Sequence, residues 1–378
     1  MNLKLFFKAP KTVEALKPSA IGASIKSLTD ESLDIAQTDI AIIGLTEDRG
    51  TEANLGVSEG ADIIRDKFYR LKKSAVNYRI ADLGNLQNGE SLADTVARLR
   101  EVCEFLFSIK VTPLIIGGTH DLSLGQYYAY ESKKDLISVL NIDARLDVEH
   151  EGDTNETFLS DLITHQPNYL FSYNHLAHQS YLVDAEALAA LDKLYFEAVR
   201  LGDIREGVQK AEPIIRMANM CTFDISAIRS ADAPANANAE PFGLTGEEAC
   251  QIMWYAGMNE KMSSVSISEY NPTLDDQHEK TAAIIGTMLW YFVEGYYHRK
   301  DTGQFNSDQY TKYTVSFEGT EDTMTFYKSN RSEKWWMLVT YGEKHMDRAY
   351  LPCSYEDYTA ATHGEFPDRW IRAQGKLI

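Results

Sequence analysis

Between residues 39 and 297 the chain alternates short apolar runs with longer amphipathic segments, and this pattern restricts the fold more than any other feature. Runs such as residues 39–45 (DIAIIGL) and 111–118 (VTPLIIGG) are almost continuously apolar, which is typical of strands buried on both faces. Strand–helix alternation repeated this often predicts right-handed βαβ units. We therefore predict an α/β domain of three layers, α/β/α, with a mostly parallel eight-stranded sheet.

The spacing of apolar residues also predicts where the elements lie. The eight predicted strands are residues 39–45, 78–84, 111–118, 137–145, 168–174, 195–204, 220–226 and 264–271. Helices are predicted at residues 91–107, 245–257 and 276–297, where apolar residues recur every three or four positions. Thr245, followed three residues later by Glu248, has the sequence of a capping box and predicts the start of the second of these helices.

The two ends of the chain have different patterns from the α/β segment. The first 38 residues show no strong periodicity and are predicted to form an N-terminal arm. From residue 298 onward, the aromatic and β-branched segments 313–318, 324–328 and 335–341 are separated by turn sequences. We predict a small antiparallel β extension there, which divides the chain into residues 1–38, 39–297 and 298–378.

The net charge limits the classes of binding partner, and the cysteine pattern favours one type of cellular compartment. The formal net charge of −19 argues against nucleic acid and against an anionic membrane surface as partners. No apolar run approaches the roughly 20 residues that a membrane span requires. The four cysteines are scattered without a CxxC pair, which favours buried reduced thiols. We therefore expect a cytoplasmic protein.

Three predicted strands end in clusters of acidic residues and histidine. They end in GGTHD (residues 117–121), DARLD (143–147) and TFDIS (222–226). In parallel α/β sheets the functional residues lie beyond the carboxyl ends of the strands, so these clusters are expected to lie together. Buried carboxylates without partners cost several kcal/mol. The cluster therefore indicates either a bound cation or a network of salt bridges, and the residues alone leave both open.

These motifs resemble, in the same order, the Gly-Gly-x-His, Asp-Ala-His-x-Asp and Ser-x-Asp-x-Asp signatures of the ureohydrolases, the family of arginase, agmatinase and formimidoylglutamase. The resemblance extends to residues 44–65, 80–84 and 264–272, and so covers roughly residues 39–297. Asp121, directly after the histidine, and residues 223–244 resemble the formimidoylglutamase branch.

The resemblance implies an arginase-like fold and a hydrolase of C–N bonds in linear amidines or guanidines, with Mn²⁺-activated water as the nucleophile. Its substrate class would be that of N-formimidoyl-glutamate. Carried over position by position, it implies His120, Asp143, Asp147 and Asp224 as ligands of the first metal ion. It also implies that Glu269 pairs with the cationic nitrogens of the substrate.

The chain departs from the family at the second metal. The family has histidine and aspartate where this chain has Arg145 and Ser226. Arginine remains protonated and cannot ligate a metal, so we expect one Mn²⁺ ion rather than two, or none. In one alternative, Arg145 is a fixed cation beside one metal and the chain is an altered enzyme. In the other, Arg145 pairs with Asp143 and Asp224, no metal binds, and the chain is an inactive homologue that serves as a binding or regulatory subunit.

Three further residues are candidates near the site. His150 is a candidate proton shuttle, the alternative being a solvated loop histidine. Thr157 is predicted to bind substrate, and Arg205 is a candidate to bind a substrate carboxylate, the alternative being a surface arginine. The aromatic residues of the extension, among them Trp335 and Trp336, form either the core of its sheet or an exposed contact surface. On the second interpretation we expect a homo-oligomer.

Overall fold

The structure, a computed structural model, describes residues 1–11, 13–148, 153–317, 323–341 and 347–377. The strands of its central sheet are β1 (Phe7–Lys8), β2 (Lys26–Ser27), β3 (Ile40–Gly44), β4 (Ile80–Leu86), β5 (Thr112–Ile116), β6 (Ile137–Ile142), β7 (Leu170–His178), β8 (Glu197–Arg200), β9 (Met220–Asp224) and β10 (Ser264–Ser268). Strands β3 to β10 lie in the order β4-β3-β5-β10-β9-β6-β7-β8, and every neighbouring pair is parallel. These eight strands form the predicted, mostly parallel sheet, and with β1 and β2 the observed sheet has ten strands.

Helices cover both faces of this sheet. They are α1 (Gly60–Arg70), α2 (Leu92–Ser108), α3 (Ser123–Tyr128), α4 (Phe158–Thr164), α5 (Ala185–Lys193), α6 (Leu201–Arg205), α7 (Glu212–Met217), α8 (Gly246–Met258) and α9 (Lys280–Tyr297). Side chains alternate across each strand, so Ile40 and Ile42 join the core under α1, α8 and α9, whereas Ala41 and Ile43 join the core under α2 to α5. The layers are therefore α/β/α, as predicted.

The predicted start of each strand from β3 to β10 lies within two residues of the observed start, but several other boundaries differ by more. Strand β7 extends to His178, four residues beyond the prediction, and α9 begins at Lys280, four residues later than predicted. Ser91 and Thr245 cap α2 and α8 through capping boxes, and the second of these was predicted. The predicted strand 195–204 is wrong in its second half, because β8 ends at Arg200 and α6 follows. The N-terminal arm adds β1, antiparallel to β4, and β2, parallel to β4.

The extension forms a second sheet of four antiparallel strands followed by two helices. Its elements are β11 (Tyr310–Ser316), β12 (Thr323–Ser329), β13 (Trp335–Tyr341), β14 (Asp347–Cys353), α10 (Tyr355–Thr362) and α11 (Asp368–Leu377). Trp335 and Trp336 lie on opposite faces of this sheet and are both buried. They are core residues, so they do not form the exposed contact surface on which the homo-oligomer was predicted. Within the described part of the chain, no helix combines the length and apolar character needed to cross a bilayer.

Arg216 of α7 joins the extension to the α/β domain. Its guanidinium donates to the carbonyls of Trp335 (3.0 Å) and Cys353 (3.1 Å) and lies over the Trp336 ring, 4.4 Å from its centroid. Glu212, one helical turn earlier, neutralises its charge at 3.0 Å. A single buried side chain thus satisfies two carbonyls of the second sheet from a helix of the first domain.

Arg216→Met is therefore expected to lower the free energy of unfolding by about 3 kcal/mol, because it leaves two buried carbonyls without their donor and removes the nearer cation from the partly buried Glu212. Chemical denaturation monitored by tryptophan fluorescence measures this loss. Lys210→Met, which removes an exposed lysine from a comparable i,i+4 pair with Glu206, is the control and should leave the midpoint unchanged. Equal midpoints for the two variants would contradict the anchoring role.

Candidate active site

A tight turn after β5 places His120 in the interior of the protein. Gly117 and Gly118 both have left-handed backbone conformations, with φ of 84° and 73°. A Cβ on Gly118 would lie 2.6 Å from Cδ1 of Leu122 and 3.0 Å from Cβ of Leu45, so only glycine fits there. The chain then starts a short 3₁₀ turn at His120, whose ring stacks on Phe158 at 4.5 Å.

Three aspartates reach the same place from two neighbouring strands. Asp143 and Asp147 follow β6, and Asp224 is the last residue of β9, which pairs with β6. Asp147 has φ of 51°, an unfavourable backbone conformation for a residue with a side chain. Strain of this kind is retained where the surrounding structure enforces it, and it is concentrated at functional sites.

The carboxylates of these aspartates converge on one nitrogen of His120. Its Nδ1 lies 2.7 Å from Oδ2 of Asp147, 3.6 Å from Oδ2 of Asp143 and 3.9 Å from Oδ2 of Asp224. The other ring nitrogen, Nε2, is 2.9 Å from the Thr222 hydroxyl, which fixes the plane of the ring. One imidazole and three acids therefore face a common point.

Burial dominates the electrostatic environment of the three acids. Burial raises the pKa of Asp147 to about 8 and the pKa of Asp224 to about 8, the latter with a further contribution from the charge of Asp143. The pKa of Asp143 is raised well above its ordinary value by burial and by the neighbouring Asp147. Three acids at this distance in a buried site are stable as anions only with a cation beside them.

The donor set fits a divalent metal ion. Donor atoms of His120, Asp143 and Asp147 lie within 4.8 Å of one another, and Asp224 stands at the edge of this group. Oδ2 of Asp143 is buried and has no hydrogen-bond partner among the described residues. Oxygen donors with a single imidazole are a ligand set that suits Mn²⁺. The residues at the positions of the first metal therefore match a metal site in burial, chemistry and spacing.

The residues at the positions of the second metal are arranged differently. The hydroxyl of Ser226 donates to Oδ1 of Asp143 at 3.0 Å, and the Arg145 backbone N–H donates to the same oxygen at 3.0 Å. The Arg145 guanidinium is 32% exposed and pairs with Glu240 at 3.1 Å. Within the described residues it forms no ion pair with Asp143 or Asp224. The structure thus does not show the pairing that would exclude a metal from the first position.

Glu269 lies beside the metal position, directly after β10, with a left-handed backbone of φ 70°. Its Oε1 accepts from the His120 backbone N–H (2.8 Å) and from the Asn155 side chain (3.1 Å), and its Oε2 accepts from the Asn54 side chain (2.8 Å). Burial raises its pKa to about 7, with a further contribution from the charge of Asp224. A carboxylate offers about four lone pairs, so three donors leave Oε2 one position for a ligand.

The remaining predicted residues lie farther from the metal position or outside the described range. A cavity of about 120 Å³ is lined by Arg145, Asp147 and Glu156 among others. Arg205 is exposed on α6 and donates to the Gly243 carbonyl at 2.7 Å. Thr157 donates to Asp161 at 2.8 Å at the start of α4. His150 falls within 149–152, outside the described residues.

Sequence reasoning missed four residues that position the site: Thr222, Asn54, Asn155 and Glu240. Thr222 precedes Asp224 by two positions on one strand, so the period of β structure gave a signal for it. The other three lie outside the strands and α-helices, Asn155 in a short 3₁₀ turn, and are more than 90 residues from their partners in the chain. No local pattern marks such residues.

A parallel α/β sheet with a buried cluster of acids and a histidine beyond its strand ends is the arrangement of an α/β protein that could bind a metal ion. Comparison with known proteins identifies the family. A family model described as the arginase family matches residues 38–294. The match covers more than half of the chain, which therefore belongs to the arginase family. The chain is 24% identical over 279 residues to the formimidoylglutamase of Staphylococcus haemolyticus, covering 68% of this chain and 86% of that protein. It is 25% identical over 272 residues to the formimidoylglutamase of Staphylococcus epidermidis, covering 66% and 84%.

Solved structures agree on the fold. The formiminoglutamase of Trypanosoma cruzi, described with Mn²⁺, has a TM-score of 0.66 at 21% identity, covering 71% of this chain and 97% of that chain. The formimidoylglutamase of Bacillus subtilis has a TM-score of 0.67 at 19% identity, covering 78% and 96%. The predicted arginase-like fold and the resemblance to the formimidoylglutamase branch are both confirmed.

Proposed function

We propose that this protein hydrolyses a C–N bond of a linear amidine or guanidine with one Mn²⁺ ion bound by His120, Asp143, Asp147 and Asp224. The observation that carries this proposal is the convergence of three buried carboxylates on Nδ1 of His120. Mn²⁺ bound there would supply a Lewis acid that makes water nucleophilic at neutral pH. The alternative of an inactive binding subunit is not favoured, because the tryptophans assigned to its contact surface are buried.

Glu269 is proposed to hold the amidine group of the substrate. A protonated amidine carries its charge over two nitrogens, and a carboxylate with a free lone pair accepts a charge-assisted hydrogen bond from one of them. The three amide donors on Glu269 fix the direction of that lone pair before the substrate arrives. Such preorganisation favours one orientation of the central carbon of the substrate.

Two arginines, Arg205 and Arg145, are proposed to interact with negatively charged groups. Arg205 is assigned to a substrate carboxylate, which is supported by its exposure. Arg145 is assigned the role of a cation at the cavity wall, supported by the cavity that it shares with Asp147. Thr157 stays a predicted substrate-binding residue, and His150 stays a predicted proton shuttle. These charges favour an N-formimidoyl amino acid such as N-formimidoyl-L-glutamate as substrate.

The cellular location, the native metal and the oligomeric state of the protein remain predictions. A cytoplasmic location is supported by four buried free thiols. Manganese as the native metal is supported by the ligand chemistry. The homo-oligomeric state rests on no described surface and would be measured by light scattering.

A substrate panel tests the proposed activity. The full chain, stripped with EDTA and reloaded with Mn²⁺, would be incubated with N-formimidoyl-L-glutamate, agmatine and L-arginine, and release of glutamate, putrescine or ornithine would be measured. We expect turnover of N-formimidoyl-L-glutamate that stops on metal removal and returns on reloading. Absence of turnover of all three compounds by the Mn²⁺-loaded protein would refute the activity.

Arg205→Gln is expected to raise KM for N-formimidoyl-L-glutamate about tenfold with little change in kcat. A fully formed charge-assisted hydrogen bond contributes about 1.5–3 kcal/mol, and one at an exposed position contributes less. Steady-state kinetics on the wild type and the variant measure the separate effects on KM and kcat. Arg100→Gln, which removes an arginine from a pair on α2, is the matched control. A fall in kcat with unchanged KM would contradict the assignment of Arg205 to substrate binding.

A further inference from the structure

A second cavity, larger than the one beside Asp147, lies at the far edge of the sheet. Its volume is about 270 Å³, and it is bounded by α5, β8 and α11. That is close to the lower end of the range of small-molecule sites, about 300 Å³. One wall comes from Arg372 in the C-terminal extension, which lies beyond residues 38–294 that match the arginase family model. The cavity is therefore built partly by a segment outside the family domain.

The charged side chains of this cavity form two separate ion pairs. Nη1 of Arg372 is 3.0 Å from Oδ1 of Asp192, and Nε of Arg200 is 2.9 Å from Oδ1 of Asp203. Their charges sum to zero, and the Arg200 side chain is 61% exposed. Ion pairs at such exposed positions are weak in water, so a ligand that offers both a cation and an anion can replace them at little cost.

The floor of the cavity is apolar except for one histidine. Leu188, Leu191 and Phe196 line it, and the His178 ring lies among them with 4% exposure. Nδ1 of His178 is buried and has no hydrogen-bond partner among the described residues. Native proteins rarely leave a buried polar atom unsatisfied, so this nitrogen indicates a missing partner. Burial lowers the pKa of His178, so the ring there is neutral and serves as a hydrogen-bonding group, not as a charge.

We propose that this cavity binds a small zwitterion, an α-amino acid with an apolar side chain. The carboxylate would pair with Arg200 and Arg372, and the ammonium group with Asp203 and Asp192. The side chain would lie against the leucines and the phenylalanine of the floor. A ligand with one charge only would leave either the two arginines or the two aspartates without a partner, so both charged groups are needed for binding.

Calorimetric titration of the full chain with L-leucine tests this proposal. Its analogues 4-methylpentanoate and 3-methylbutylamine each retain the side chain and one of the two charges. We expect saturable binding of L-leucine and at least about tenfold weaker binding of each analogue. Failure of L-leucine to bind at about 10 mM, or equal affinity for either analogue, would overturn the assignment.

Two variants locate the binding. Arg200→Gln and Asp203→Asn change exposed side chains outside the proposed active site, and each should weaken L-leucine binding about tenfold. Arg70→Gln removes an arginine from the equally exposed pair with Asp66 on α1 and should change the affinity less than about twofold. Unchanged affinity in both cavity variants would show that leucine binds elsewhere, which refutes this site. Thermal melts of all three proteins establish that the fold is retained.

Discussion

Replacing His120 with alanine is expected to abolish Mn²⁺ binding and amidine hydrolysis together. The imidazole is the point on which Asp143, Asp147 and Asp224 converge, and its loss leaves three buried acids without their shared nitrogen. Groups that merely orient a metal ligand already contribute ten- to a hundredfold to metal affinity or activity. Loss of the ligand itself should therefore lower both by more than about a hundredfold. Metal titration and hydrolysis of N-formimidoyl-L-glutamate measure the two effects on one preparation.

A matched variant separates this effect from general destabilisation. His165→Ala also removes a histidine with an acidic partner, Glu131, but this histidine is only partly buried and follows the last residue of α4. It should keep the Mn²⁺ affinity and the turnover of the parent protein. If His120→Ala retained Mn²⁺ with normal affinity while folding normally, the assigned ligand set would be wrong.

The double replacement Arg145→His with Ser226→Asp is expected to create the second metal position. Asp143 and Asp224 would then be shared between two ions, with one imidazole and one carboxylate added at the two positions where the chain departs from its family. A two-ion clamp stabilises charge on both sides of the reacting centre, so kcat should rise by at least about tenfold. The ratio of manganese to protein after Mn²⁺ loading should rise from about one to about two.

The control removes the guanidinium without supplying a ligand. Arg145→Gln breaks the pair with Glu240 and should leave the ratio of manganese to protein where it is in the parent chain. If Arg145→Gln alone allowed a second ion to bind, the arginine would be the barrier and the missing ligands would be irrelevant. That outcome would contradict our account of the second position.

The sheet was predictable because its strands are buried on both faces, and continuous apolar runs such as β3 and β5 have few other interpretations. The end of β8 at Arg200 was not predictable from the sequence, because Leu201 and Ile204 are buried in α6 just as they would be in a strand. Strand β14 escaped prediction because it contains Pro352, which argues against a strand. The capping box of Ser354 and Asp357 was a usable signal for α10.

The convergence of the proposed ligand residues was predictable because they lie at strand ends in motifs of fixed spacing. The direction of the Arg145 side chain was not predictable, because its partner Glu240 is 95 residues away in a loop without a strand or helix pattern. The amide donors on Glu269 come from loops 114 and 215 residues away, and only the folded chain brings them together. The motifs and the family resemblance thus pointed to the residues proposed to hold the metal, whereas the groups that orient them depend on tertiary structure.

The manganese content of the purified parent chain tests the central claim most directly. The full chain would be stripped, loaded with Mn²⁺, freed of unbound metal and measured by elemental analysis against protein concentration. We predict about one ion per chain, because the first metal position has four proposed ligands, whereas the second has a serine and an arginine in place of two ligands. About two ions per chain, or none at saturating Mn²⁺, would contradict it.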